Sequence, residues 1–294
     1  MTHRNGAATV TVNAVSPGAS VQDLGRTGHM HVGVSPSGAA DVCSFTLANR
    51  LVGNPENAAC FEVLLGGFSI TLSSDRVVAV TGAPVSVHID GRVVPDTARM
   101  LLPAGARLEL GRPVHGIRTY VAVAGGVEAP QFLGSASNDA LGGIGSGMAA
   151  GQQFALGRPD RCPDLPTELA LSRIPDTGAV LRMHWGPRHD LFDASDRRRL
   201  VSQWWQVSDR TDRVAARLTG DPLTIGSIAL PSEGMVRGSI EIPPSGEPIV
   251  FLSDHPATGG YPVIGVVLEA DADVLAQARP GLRIRFDPVT PTEQ

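Results

Sequence analysis

VSVHIDGRVV, residues 85–94, sets Asp90-Gly91 between two valine-rich runs. A two-residue hairpin turn of type I′ needs positive φ at both central positions, and Asp-Gly supplies it. The stretch therefore reads as a β-hairpin. GFSITL (67–72) and RVVAVTG (76–82) precede it with the same β-branched character. ARLELG (106–111) and IRTYVAVAGG (117–126) follow it. ATVTVNAV (8–15) adds a first strand. About ten short strands at such spacing, punctuated by glycine, predict a barrel or sandwich and not βαβ units.

The second half continues the pattern. VLRMHW (180–185), VIGVVLEA (263–270) and LRIRF (282–286) read as strands. SIEI and EPIVFLS, joined through Pro243-Pro244-Ser245-Gly246, read as a second hairpin with a turn of about four residues. Helical signals are few. Asp41 is placed to cap a helix over Ser44–Val52, with Phe45, Ala48 and Leu51/Val52 on one face. Asn54-Pro55-Glu56 predicts a further short helical turn to about Cys60. Asp193 predicts a cap for a helix to about Gln206, with Leu200, Val201 and Trp204 inward and Arg197–Arg199 solvated. DVLAQA (273–278) predicts a short third helix. The proline-bearing stretch 158–178 marks a linker, dividing the chain into domains 1–165 and 166–294.

Composition narrows the function. The 294 residues are 42% hydrophobic, enough for a sizeable core. The net charge is −5, and Arg197–Arg199 is the lone basic block, so nucleic acid is not an expected partner. No run has the roughly 18 apolar residues of a membrane span, and MTHRNGAATV carries no signal-type apolar core. A cytoplasmic protein is expected. Cys43, Cys60 and Cys162 form no C-x-x-C pair; Cys43 and Cys60 sit among apolar residues and read as buried structural thiols. The chain contains no lysine: all 24 basic residues are arginine. A P-loop lysine, a Schiff base, a lysine-activated serine and a biotin-bearing lysine are thereby excluded from this chain. Anions must be met by Arg, protonated His or backbone N–H groups.

Four polar, glycine-rich loops carry the candidate chemistry. Gln22–Asp41 holds Gln22, Asp23, Arg26, Ser35, Ser37 and Asp41. TDRVAARLTG contributes Asp212, Arg213 and Arg217; PSEGMVRG (231–238) contributes Glu233 and Arg237; SDHPATGGYP (253–262) contributes Asp254, Thr258 and Tyr261. Glycine-rich GSASNDALGGIGSGMAAG (134–151) reads as a lid or a phosphate-cradling loop, though it fits no phosphate-binding signature. His29-x-His31 would share one face of a strand, but a zinc site needs a third ligand, so no metal site is expected. No G-x-S-x-G elbow occurs.

The same pieces resemble a family. VQDLGRTGHMHVGVSPSGAAD (21–41), ANRLVGNPENAA (48–59), EVLLGG (62–67), RTYVAVAGG (118–126), GP..D.F (186–192), DRVAARLTG (212–220), LPSEGMVRGSIEIPPSGEPIV (230–250) and DHPATGGYP (254–262) are similar to the 5-oxoprolinase C subunit. That family is also described as KipA-like, allophanate hydrolase subunit 2 or biotin-dependent carboxyltransferase-like. The resemblance spans about residues 10–288. It implies a mainly β fold of two cyclophilin-like barrel domains with a few short helices. It implies a complex with two other proteins, one KipI-like and one lactam-utilisation-like. That complex opens 5-oxoproline to L-glutamate with ATP hydrolysis, so ATP, with magnesium, is expected at the level of the complex, and no covalent biotin on this chain. Asp23, Arg26, Asp41, Glu233 and Asp254 are then the candidate catalytic residues. Ser37, Asn49, Arg213, Arg217, Arg237, Thr258 and Tyr261 are candidates for binding substrate. Two alternatives stand beside this reading: the carboxyltransferase part of a biotin-dependent urea or amide carboxylase, and a non-catalytic KipA-like regulator of a KipI-like kinase inhibitor. Pro256, Glu241 and Arg188 occupy positions where the family often has glutamine, which bears on substrate choice.

Overall fold

The structure, a computed structural model, describes residues 7–94, 99–145, 147–160, 174–225 and 230–290. The chain divides into two compact units: Met1–Arg26 with Asp41–Ile174, and Thr27–Ala40 with Pro175–Gln294. The division expected after residue 165 falls outside the described residues, as does Cys162.

The first unit is built from two antiparallel sheets. One has seven strands in the order Val127–Glu128, Gln153–Leu156, Thr9–Ala14, Phe68–Leu72, Arg107–Leu110, Val87–Ile89 and Arg92–Val94. The other has five, in the order Ser20–Gln22, Cys60–Leu64, Arg118–Val123, Arg76–Gly82 and Arg99–Leu102. The Asp90-Gly91 hairpin forms as read, with φ of 49° and 75° at its two turn residues. Apolar side chains from both sheets, among them Val10, Phe61, Phe68, Ile70, Val78 and Val121, make one core. Strand Arg118–Val123 is buried along its whole length. Helix α1 (Val42–Leu51) packs on it and on Arg76–Gly82. A strand covered on both faces loses the polar/apolar alternation, as RTYVAV shows.

Helix α1 starts where its cap predicts: Asp41 Oδ1 accepts the Ser44 N–H at 2.9 Å. Phe45, Ala48 and Leu51 face inward. Cys43 is exposed, unlike Cys60, and so is not the buried thiol expected. It lies two residues from Phe45, about 200° round the helix, so burying Phe45 turns it outward. The helical turn expected to reach Cys60 is a turn over residues 56 and 57, and Cys60 already opens a strand.

The second unit is a closed barrel. Its strands run Gly178–Trp185, Val263–Val267, Ser239–Glu241, Ile249–Phe251, Ala215–Thr219, Trp205–Val207 and Arg283–Pro288. The last returns parallel to the first, from Gly178↔Arg283 to Met183↔Pro288. Leu181, Met183, Trp205, Leu218, Ile240, Val250, Ile264, Ile284 and Phe286 fill it. Closure leaves none of these strands as an open edge. The Ser239–Phe251 hairpin pairs Ile240 with Val250, but its connection is longer than expected because pairing stops at Glu241↔Ile249.

Helix α2 (Ala194–Ser202) is shorter than its apolar spacing predicts. Gln203 is extended, and Trp205 enters the barrel as a strand residue with no exposure. Trp204 is consequently turned out beneath Arg283 and Arg285, at 5.0 and 5.2 Å from its ring centre. The alternation Trp204-out, Trp205-in is a strand period overriding a helical one. Helix α3 spans Glu269–Ala276. His29 caps, and His31 lies within, a single 3₁₀ turn (Met30–Val32) and not a strand, so the shared face does not exist. No helix of the described residues is long and apolar enough to cross a membrane.

Candidate functional site

The first unit gathers Asp23, Arg26, Ser135, Ser137 and Asp139 in its interior. Ser135 Oγ and Ser137 Oγ donate to Asp23 Oδ1 at 2.6 and 2.5 Å. The Gly25 N–H donates to the same oxygen at 2.8 Å, and the Ala136 N–H to Oδ2 at 2.7 Å. A carboxylate so surrounded is an anchor: donors already fill the positions a base would need. It fastens the start of the 134–151 loop, so that part of the loop is not a free lid. Arg26 donates through Nη2 to the Ser137 carbonyl and stands 4.0 Å from Asp139. Its side chain has no exposed surface.

Asp41 and Asn49 serve the same unit. Asp41 accepts both the N–H and the Oγ–H of Ser44. Its own N–H donates to the Tyr120 hydroxyl, which donates to Glu62 at 2.8 Å. Burial, then the nearby Glu62 and Asp41, push the Tyr120 phenol well above its usual range. Asn49 donates to the Ala58 and Glu56 carbonyls and accepts from Asn54, tying α1 to the turn after it.

The second unit brings three predicted residues together. Ser37 Oγ donates to Asp254 Oδ1 at 2.6 Å. Arg213 grips both oxygens of Asp254, Nε to Oδ2 at 2.8 Å and Nη2 to Oδ1 at 2.9 Å. A fork of this kind fixes the carboxylate in plane. Arg213 Nη2 also donates to the Gly38 carbonyl at 2.5 Å, Ser253 Oγ to that of Ala39 at 3.1 Å, and Arg237 Nη2 to that of Ala40 at 2.7 Å. Together with the Ser37–Asp254 bond, these three fasten Thr27–Ala40 to the second unit. Ser37 is held at φ 52°, in the left-handed region that L-residues seldom adopt. Arg237 is further paired with Asp273 on α3 at 2.6 Å.

A two-stranded ribbon, Glu233–Gly234 with Thr258–Gly259, lies beside this group in sequence and pairs Glu233 with Gly259. Arg188 donates to Glu233 from Nε at 2.9 Å and also from Nη2. Their hydrogen bond holds Glu233 below the usual carboxylate range. Thr258 is exposed and Tyr261 is 45% exposed, so both present polar groups to solvent. Under the ribbon sits Glu241, buried, with its carboxyl pushed up by desolvation. Arg217 is exposed on its barrel strand and joins neither group. Burial lowers the imidazole of His255, next to Asp254.

Sequence reasoning passed over several partners. Arg188 and Glu241 were visible as replacements for glutamine. Asp273 sits in a helix whose composition is ordinary, and the seryl contacts of Asp23 come from a stretch that read as a lid. Among the described residues no three His, Cys, Asp or Glu side chains gather to hold a metal ion.

Residues 32–288 match the family described as carboxyltransferase domain, subdomain A and B, and the chain belongs to that family. Within it, the relatives are more particular. The C subunit of 5-oxoprolinase from Escherichia coli (strain K12) is 36% identical over 272 residues, covering 91% of this chain and 87% of the relative. The crystal structure of TTHA0988 matches with a TM-score of 0.86 and 34% identity, over 98% of this chain but 57% of that one. The Kluyveromyces lactis urea amidolyase matches with a TM-score of 0.89 and 28% identity, over 97% of this chain but 19% of that one.

Proposed function

We propose that this chain is one component of an ATP-dependent 5-oxoprolinase, which opens 5-oxoproline to L-glutamate. The observation carrying this reading is the likeness to the 5-oxoprolinase C subunit over nearly the full length of both proteins. Such a component works with partners, here one KipI-like protein and one lactam-utilisation-like protein. The lactam is a poor electrophile. Transfer of the ATP γ-phosphoryl group to its carbonyl oxygen releases ADP and makes the ring carbon open to water. Water then adds to that carbon and the ring C–N bond breaks with a proton taken up by nitrogen, leaving the side-chain carboxyl as an acyl phosphate; a second water hydrolyses it to L-glutamate and phosphate.

The arginine pairings suggest a division of labour. Arg26 lies in the interior beside Asp139, Arg213 is spent on Asp254, and Arg237 on Asp273. A triphosphate needs cations that are not already neutralised. Arg217 is left exposed, apart from both groups, and in this reading the nucleotide, with its magnesium, is held chiefly by a partner protein. This chain supplies the ribbon of the second unit, where Thr258, Tyr261 and the Arg188–Glu233 pair present donors and acceptors to the lactam and its carboxylate. The chain purified with both partners should release ADP only when 5-oxoproline is added. ADP release indifferent to 5-oxoproline contradicts the reading.

The likeness to urea amidolyase favours a second reading, carboxyl transfer to urea or another amide from biotin carried on another chain. An active complex inhibited by avidin and dependent on bicarbonate would select it; an avidin-insensitive one would select the first.

A further inference from the structure

Glu241 ends the barrel strand Ser239–Glu241 and is 3% exposed. Its Oε1 accepts the Tyr261 N–H at 3.3 Å. Gly259 presses on the same oxygen: a Cβ there would lie 2.1 Å from Oε1, and 3.0 Å from the Met235 sulfur. A side chain at 259 would push the Glu241 carboxyl aside, so glycine lets the ribbon close directly over it. The flanking barrel strands offer it Ile249 and Val263, both apolar. The charged or titratable groups on the covering elements are Glu233, already paired with Arg188, and the Tyr261 phenol. Asp254, held by Arg213, and His255 stand further along the same segment. Among the described residues no cation pairs with Glu241. Ionising a buried carboxyl with no cation beside it is unfavourable; burial raises this one, and the Tyr261 N–H bond opposes with the smaller effect.

We propose that Glu241 is a positioning residue that sets the Gly259–Tyr261 segment, acting as a neutral acid, and so makes ligand binding at the ribbon pH-dependent. Neutral, it fits under Gly259 and accepts from Tyr261. Ionised, it draws water beneath the segment and displaces the residues that present Thr258 and Tyr261. The identity of the ligand as 5-oxoproline rests on the function proposed above; the coupling of Glu241 to the segment does not.

Two measurements separate these. Amide signals of Gly259, Gly260 and Tyr261, followed by NMR in the isolated chain, should titrate with one midpoint above the ordinary glutamate range. In Glu241→Gln, which stays neutral and keeps the Oε1 acceptor, that titration should vanish, while the His255 ring and Glu233 titrate as before. In the complex, the wild-type KM for 5-oxoproline should rise about tenfold per pH unit above the midpoint, with kcat steady. The Gln variant should lose that rise. Segment amides that do not titrate, or that titrate alike in both proteins, overturn the proposal, and the wild-type signals decide it should the variant fail to fold. A KM of the same pH dependence in both proteins overturns it as well. A complex with no oxoproline-dependent turnover counts against the function alone, since the NMR result stands without it.

Discussion

Two aspartates of this chain look equivalent in sequence and are not equivalent in space. Asp23 lies in a glycine-rich loop after a strand, and so does Asp254. Asp23 is closed in by four neutral donors from its own turn and from Ser135–Ser137. Asp254 is bound by one cation and one serine, Arg213 and Ser37, and its segment runs straight on to the exposed ribbon at Thr258. The first pattern knits two loops into an interior. The second fixes the base of a surface element. Buried polar clusters therefore divide into those that end in the core and those that lead to solvent, and the proposed ligand surface belongs to the second kind.

Arg213→Ala strikes this contrast hardest. It leaves the Asp254 carboxylate, 1% exposed, without its cation, a change that typically costs about 3–5 kcal/mol. The midpoint of urea unfolding should fall accordingly, and Arg213→Lys should recover only part of it, because an ammonium lacks the fork. Asp23→Ala should cost about 3 kcal/mol, since several donors lose their acceptor at once. It should leave the KM of a folded complex unchanged, however; a KM effect without loss of stability would erase the distinction between the two aspartates. Asn49→Ala should cost about 1–3 kcal/mol through the stranded Ala58 and Glu56 carbonyls, again with no effect on KM.

Glu233→Gln is the mildest in stability, because its partner Arg188 is 37% exposed on the side chain and such pairs contribute little. Its folded carboxyl lies below its unfolded value. The small stabilisation is therefore present above the unfolded pKa and lost as pH falls through the folded one. Glu241 has the opposite sign: its stability contribution is complete at low pH and lost as pH rises through its raised value. Unfolding midpoints of wild type and Glu241→Gln should accordingly converge in acid and separate, in favour of Gln, as pH rises. For Glu233→Gln the separation from wild type should disappear in acid.

Much of the fold was legible because its signals are local. Asp90-Gly91 fixes a hairpin through φ alone, and Asp41 and Asp193 cap helices through bonds within three residues. What was illegible depends on partners distant in the chain. Nothing near Asp23 announces Ser135 and Ser137, more than 110 residues away, so an anchor reads like a base. Trp204 and Trp205 carry both a helical and a strand period, and only barrel closure decides which is buried. The loop Gln22–Asp41 reads as one binding element, yet Asp23 and Arg26 serve the first unit while Ser37 serves the second. Its glycines and polar residues record that both ends are bonded, not to what.

Hydrogen exchange in the assembled complex, with and without 5-oxoproline and a non-hydrolysable ATP analogue, tests the division between the two clusters most directly. Peptides covering 233–241 and 254–262 should slow when ligand is added, while those covering 20–26 and 134–139 keep their rates. Protection arising at 134–139 with the ribbon unchanged would contradict it.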